Sequence, residues 1–272
     1  MKVTLYYFSG TGNTQLICNS MKEEFKKANY SVNLIPIENA KPNLLPQADI
    51  YGIAFPIAIH TTYPFVRRFI EALPLNEAHS IFALSTMAGT RTGLFNYFLN
   101  LQKKRNFQIL GLKNIRMPNN YFPKQIIVEE NEKRIERGIE SAEKFAQDII
   151  TREIFKYKKD FLSRLFNPVG NSKWLWTLIK KMYNFKIIED KCQICQICIK
   201  ECPTKNFELI ENQVLRKNNC ELCLRCLALC PNNAIQVNKK SYVIYKRNRE
   251  QLMANFKEKV ILTSSVIDYE HR

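Results

Sequence analysis

The sequence predicts an α/β chain, a doubly wound parallel sheet of five strands followed by a small α+β unit organised by cysteines. Three observations carry that prediction. Over the first 150 residues, β-rich apolar runs alternate with stretches of helical period, as strand-helix crossovers require. A Gly/Ser/Thr turn follows the first of these runs. Cysteines then recur between positions 192 and 230 in one repeated spacing.

The strands are read near 3–8, 31–37, 49–55, 80–86 and 107–117, each a short β-branched or aromatic run bounded by turn formers. Leu16, Ile17, Met21, Phe25 and Ala28 form one face of a first helix, and Phe65, Phe69, Ile70 and Leu73 one face of a second. A third helix is expected over 93–105. The stretch 131–152 closes the unit with Ile135, Ile139, Ala142, Phe145, Ala146 and Ile149 inward. Five strands with these crossovers fit the order 2-1-3-4-5.

The chain divides into a first domain over 1–152, a basic helical connector over 153–187, a cysteine domain over 188–240 and an extension over 241–272. In the connector, a Pro168-Val169-Gly170-Asn171 break precedes Trp174, Leu175, Leu178, Ile179, Met182 and Phe185 at helical spacing. That stripe is expected to pack on one of the two domains; beside Lys173, Lys180 and Lys181, a peripheral membrane contact is the alternative. The extension reads as a polar helix over 246–259 and a strand over 260–267.

With 46% apolar and 24% charged residues, the chain has the composition of a packed protein rather than a disordered one. The apolar run Val3 to Phe8 is too short for a signal segment, and no transmembrane-length run exists, so a cytoplasmic location is expected. There, spaced cysteines more often bind metal or do redox chemistry than form disulfides. Forty-one Lys and Arg against 25 Asp and Glu give a net charge of +16. No nucleic-acid reading motif accompanies it, so nucleic acid is set aside as a partner.

Cys192, Cys195, Cys198 and Cys202 followed by Pro203 spell C-x2-C-x2-C-x3-C-P, and Cys220, Cys223, Cys226 and Cys230 followed by Pro231 spell it again. This is the bacterial two-cluster run: three thiolates wrap one cube and the Cys-Pro step carries the fourth to its neighbour. Crossing assigns Cys192, Cys195, Cys198 and Cys230 to one [4Fe–4S] cluster, and Cys202, Cys220, Cys223 and Cys226 to the second. Zinc is the alternative, but eight thiolates in this register exceed what zinc sites use. Phe207 to Leu215, alternating around Glu211-Asn212, reads as a hairpin joining the halves. Cys18, beside Ile17 on the first helix, reads as a buried thiol.

Ser9-Gly10-Thr11-Gly12-Asn13-Thr14 lies between the first strand and a helix, offering hydroxyls and backbone N–H groups to a phosphate. It lacks the Walker lysine and the G-x-G-x-x-G of dinucleotide folds, which favours a monophosphate. The six residues resemble the flavodoxin phosphate loop, [TS]-x-T-G-x-T. Phe55-Pro56-Ile57 through Pro64-Phe65 and Ser85 to Thr90 resemble the loops after strands three and four, and Met117-Pro118-Asn119-Asn120-Tyr121 also fits. The resemblance implies FMN at the switch point, held by Ser9 to Thr14, by Pro56, Ile57, Ala58, Ile59 and His60, and by Thr86, Met87, Ala88 and Gly89. His60 reads first as a partly exposed loop histidine, a hydrogen bond or proton to the reduced flavin being the alternative, and Arg91 reads equally as a solvated loop charge or as a counter-charge to an anionic reduced flavin.

As a whole the chain resembles the ferredoxin family with a flavodoxin-like N-terminal region, a flavodoxin domain fused to a two-cluster bacterial ferredoxin. Two departures stand out. The ring loops carry no aromatic sandwich, which implies looser ring binding or a partner that completes it, and Gln196 replaces a glycine common in relatives. The resemblance implies two [4Fe–4S] clusters and FMN in an electron-transfer iron-sulfur flavoprotein, either an electron carrier or an oxidoreductase component. With its cofactors the protein would carry about +10, which implies an acidic redox partner of ferredoxin or flavodoxin type. Two other roles fit the same motifs: a ferredoxin with a flavin-free docking module, and an FMN-dependent reductase of an organic substrate.

Overall fold

The computed structural model describes residues 1–89, 94–119, 128–153 and 172–238. Strands β1 (Lys2–Tyr7), β2 (Ser31–Pro36), β3 (Ile50–Pro56), β4 (Ser80–Met87) and β5 (Gln108–Arg116) form one parallel sheet in the order β2-β1-β3-β4-β5. This is the predicted doubly wound, flavodoxin-like order. Helices α1 (Asn13–Lys27) and α4 (Val128–Ile150) cover one face, and α2 (Pro64–Ala72) and α3 (Leu94–Arg105) the other. Strand β3 is apolar along its length because both of its faces are covered, whereas edge strand β2 alternates. Of the inward residues predicted for the first helix, Leu16, Ile17, Met21 and Phe25 pack against Ile135, Ala142, Phe145 and Ile149 of α4, while Ala28 is the C-cap and half-buried. Cys18 is fully buried there, and burial pushes its thiol pKa up.

Helix α5 (Lys173–Met182) differs from the sequence reading. Trp174 is 72% exposed, and Leu178 and Met182 are also exposed. Ile179 and Phe185 of the predicted stripe are packed, joined by Trp176 and Tyr183 in place of Trp174, Leu178 and Met182. Trp176 decides the rotation: its ring centroid lies 6.2 Å from that of Tyr63 in the sheet domain, while Ile179 and Tyr183 pack on the cysteine domain. One helix thus touches both domains rather than one. No described helix is long and apolar enough to cross a membrane.

The cysteine domain contains β6 (Phe185–Ile187), α6 (Ile197–Lys200), β7 (Phe207–Ile210), β8 (Gln213–Arg216), α7 (Arg225–Leu229) and β9 (Ile235–Val237). Strand β6 pairs antiparallel with β9, and β7 with β8. The β7–β8 pair is the predicted hairpin, turned by Glu211 and Asn212 at positive φ. The Pro168 to Asn171 break, the segments 246–259 and 260–267, Thr90, Arg91, Asn120 and Tyr121 lie outside the described residues.

Candidate functional site

The loop from β1 to α1 is built to present backbone donors. Phe8 N–H donates to Ala54 O at 2.9 Å, holding the chain to β3 before it turns away. Gly12, the N-cap of α1, sits at φ 99°, a left-handed conformation that a side chain would disfavour. Its own N–H is taken by the Ser9 hydroxyl at 3.2 Å. No side chain of the cap residue caps the helix, and no acidic residue occupies its first turn, so the positive end of α1 is left for an anion. The Thr14 and Thr86 hydroxyls lie 2.7 Å apart; one donates to the other, and one proton of the pair is left for a further acceptor. Asn13 Nδ2 donates to Pro118 O at 2.9 Å, tying the loop to the segment after β5.

These groups open into a cleft of about 530 Å³, part of it open to solvent, at the carboxyl ends of β1, β3 and β4. Ser9, Gly10, Thr11, Asn13 and Thr14 line it, with Pro56, Ile57, Thr86, Met87 and Ala88 from the two other predicted loops. Ala58, Ile59, His60 and Gly89 are not among its walls. Ala58 and Thr61 exchange backbone hydrogen bonds of 3.2 and 3.0 Å around Ile59 and His60, both at positive φ. This tight turn buries Ala58 and puts His60 on the exposed tip. A β-branched residue at positive φ is costly, and its presence beside a cleft marks a constrained loop. The cleft also has walls that the sequence reading did not assign: Tyr63, Pro118, Asn119, Cys223 and Leu224. The last two come from the cysteine domain.

Cys192, Cys195, Cys198 and Cys230 line one cavity of about 410 Å³, part of it open to solvent. Burial, then the neighbouring Cys195, Cys192 and Cys230 thiols, pushes Cys198 up to about 11. Burial also raises Cys223 to about 12 against the opposing pull of Arg225, with Cys202 and Cys220 adding to the rise. Cys226 lies well above the usual thiol range through burial, then Cys223, Cys220 and Cys202, with Cys198 last. Cys230 thus shares a cavity with the first run, and Cys202 acts electrostatically on Cys220, Cys223 and Cys226. Thiols this deeply buried become stable thiolates when a cation replaces their protons.

Among the described residues no three His, Cys, Asp or Glu side chains converge on a single metal ion. The backbone is instead arranged around each thiol set. Asn206 N–H donates to Cys202 Sγ at 3.3 Å, and Ala234 N–H, at the equivalent place in the second half, donates to Cys230 Sγ at 3.2 Å. Leu222 N–H donates to Cys220 Sγ at 3.4 Å. Non-glycine residues at positive φ also recur in equivalent pairs: Ile194 with Leu222, Gln196 with Leu224, and Lys205 with Asn233. The φ of 59° at Gln196 explains why glycine is easier there: glutamine bears a left-handed cost of about 1 kcal/mol. Finally, the Asn206 side chain is 1% exposed, and neither its Nδ2 nor its Oδ1 has a hydrogen-bond partner. A buried amide left unmatched beside Cys202 fits a missing acceptor such as cluster sulfur.

The two domains meet at the cleft. Arg225, between Cys223 and Cys226, is 5% exposed; its Nε and Nη2 donate to Ser9 O at 3.2 and 2.9 Å. Nη1 pairs with Glu38, and the guanidinium stands 4.7 Å from the centre of the Phe8 ring. Glu221 Oε2 accepts from Phe65 N–H at 2.8 Å, placing a carboxylate at the N-terminus of α2, and Oε1 accepts from Arg68 at 3.0 Å. The Cys223 carbonyl packs so closely on Gly10 that a Cβ there would collide with it. Gly10 is thus required by the domain contact, a role its place in the phosphate motif did not suggest.

The chain matches no protein-family model and no curated protein in sequence. Solved structures are similar over the sheet domain. A flavodoxin of Streptococcus pneumonia TIGR4 is 15% identical, with a TM-score of 0.44, over 56% of this chain and 99% of that one. Flavodoxin 2 of Bacillus cereus is 16% identical, with a TM-score of 0.42, over 56% and 99%. The flavodiiron protein of Giardia intestinalis is 13% identical, with a TM-score of 0.38, and this chain spans 36% of it. The fold assignment itself rests on the strand order and its crossovers.

Proposed function

We propose that this protein is an electron-transfer iron-sulfur flavoprotein, with FMN in the cleft and two [4Fe–4S] clusters on the crossed thiol sets. The carrying observation is that Cys223, a thiol of the second set, is itself a wall of the phosphate-loop cleft. When bound, the clusters exchange single electrons and the flavin one or two, so together they couple one-electron and two-electron chemistry. The chain's own contribution is positional. Thr14, Thr86 and the N-terminus of α1 hold the phosphate, Pro56, Ile57, Met87 and Ala88 bound the cleft, and the N–H groups of Leu222, Asn206 and Ala234 stabilise negative sulfur.

Cys223 at the cleft favours this relay over a flavin-free docking module, since docking alone gives no reason to set a residue of the cysteine run against a phosphate loop. Anaerobic purification with iron, sulfide and FMN quantitation tests the reading. About eight iron atoms and one FMN per chain are expected; protein without iron and without flavin would falsify it. We further propose an acidic redox protein as partner, drawn by the net positive charge. Electron exchange with an acidic ferredoxin should slow several-fold between low and high salt. A rate indifferent to salt removes the partner assignment.

A further inference from the structure

We propose that the cysteine domain is a working part of the flavin site: Cys223 and Leu224 are its outer wall, and Arg225 is the positioning residue that sets the phosphate loop. The inference rests on the reading above and assigns to it what the sequence left open, a group that helps close the cleft beside ring loops that carry no aromatic sandwich.

The argument starts from Arg225. It is the first residue of α7 and stands between Cys223 and Cys226, so its place depends on that short segment being held. Two of its N–H groups grip the carbonyl of Ser9, the first residue of the phosphate loop, and its charge is matched by Glu38 just after β2. A planar fork whose two N–H groups converge on one carbonyl oxygen fixes orientation as well as distance. Ser9 in turn holds Gly12 N–H through its hydroxyl, so the grip reaches the N-cap of α1 through one residue. The Cys223 carbonyl seated on Gly10 fixes the other end of the same turn. Filling the thiol set orders the Arg225 segment, and the ordered segment shapes the phosphate loop. By linkage, FMN must then favour the filled thiol set to the same degree.

The test uses the full chain with its clusters loaded and its flavin removed reversibly, titrated with FMN by fluorescence quenching. Glu38→Gln leaves every cysteine in place but takes away the partner of Arg225. It is expected to weaken FMN binding at least tenfold with iron and sulfide content unchanged, since charged hydrogen bonds of this kind carry such a factor. Arg225→Ala is expected to do the same. Arg225→Lys keeps the charge but not the fork, and should fall between it and the wild type.

The reciprocal measurement is the rate at which a chelator strips iron. Bound FMN should slow it several-fold in the wild type and not in Arg225→Ala. Equal FMN affinity in the wild type and Glu38→Gln, or iron release indifferent to FMN in the wild type, overturns the inference while leaving the proposed function standing. A wild-type chain that holds iron but takes up no FMN overturns both. Should Arg225→Ala fail to retain iron, Glu38→Gln and the wild-type release rate decide.

Discussion

Cys202→Ala and Cys220→Ala are expected to remove the same cluster, although the two residues belong to different C-x2-C-x2-C-x3-C-P runs. Each single variant should lose about four of about eight iron atoms per chain. The double variant Cys202→Ala/Cys220→Ala should lose no more than either single, because groups that act as one unit are not additive. The double variant Cys202→Ala/Cys192→Ala should lose nearly all the iron, since its members serve different sets. An uncrossed arrangement reverses the two outcomes. The expectation follows from the grouping of Cys230 with Cys192, Cys195 and Cys198 around one cavity, and of Cys202 with Cys220, Cys223 and Cys226.

Loss of either cluster should also destabilise the whole domain. Its core is small, and the cysteines make up much of the partly buried surface packed against Leu222, Leu227, Leu229 and Val237. A unit of this size depends on its metal for stability, so removal of iron should lower its melting temperature or abolish its transition.

The fold was legible where a local pattern states its own period. The five strands, the helix faces on α1 and α4 and the turn at Glu211-Asn212 all follow from spacing within a few residues, and the strand order follows from the crossovers. What the sequence hid is the meeting of the domains. Arg225 and Ser9 lie on different domains, as do Glu221 and Phe65, and no short-range signal pairs them. Arg225 reads in sequence as one more positive charge among 41, and only its burial and partners set it apart.

Helix α5 was misread for a related reason. Two apolar stripes run along it, and the choice between them is made by Tyr63, a residue of the other domain. His60 drew attention by its chemistry and its loop, yet the paired backbone bonds of Ala58 and Thr61 turn it to the tip rather than to the cleft.

The phosphate loop gives the second large expectation: the protein should bind FMN about 100-fold or more tightly than riboflavin, which differs only in lacking the phosphate. Several neutral N–H and hydroxyl donors at the start of α1 face the phosphate position, and charge-assisted hydrogen bonds contribute roughly 1.5–3 kcal/mol each before non-additivity. Two substitutions separate this from ring contacts. Gly12→Ala puts a Cβ on a residue at φ 99°, costing about 1–2 kcal/mol if the turn is kept and misdirecting the N–H groups if it is not. Thr14→Val keeps the shape of the side chain but strands the Thr86 hydroxyl, buried at 2.7 Å from the lost partner. Both should cut FMN affinity about tenfold or more and leave riboflavin affinity nearly unchanged, collapsing the ratio between them. Preference for the dianion adds a pH dependence, with FMN affinity rising through the second phosphate pKa near ~6 and riboflavin affinity flat. A wild-type protein that binds the two flavins equally would mean that the turn at Gly12 serves the domain contact alone, and that the positive end of α1 holds no phosphate.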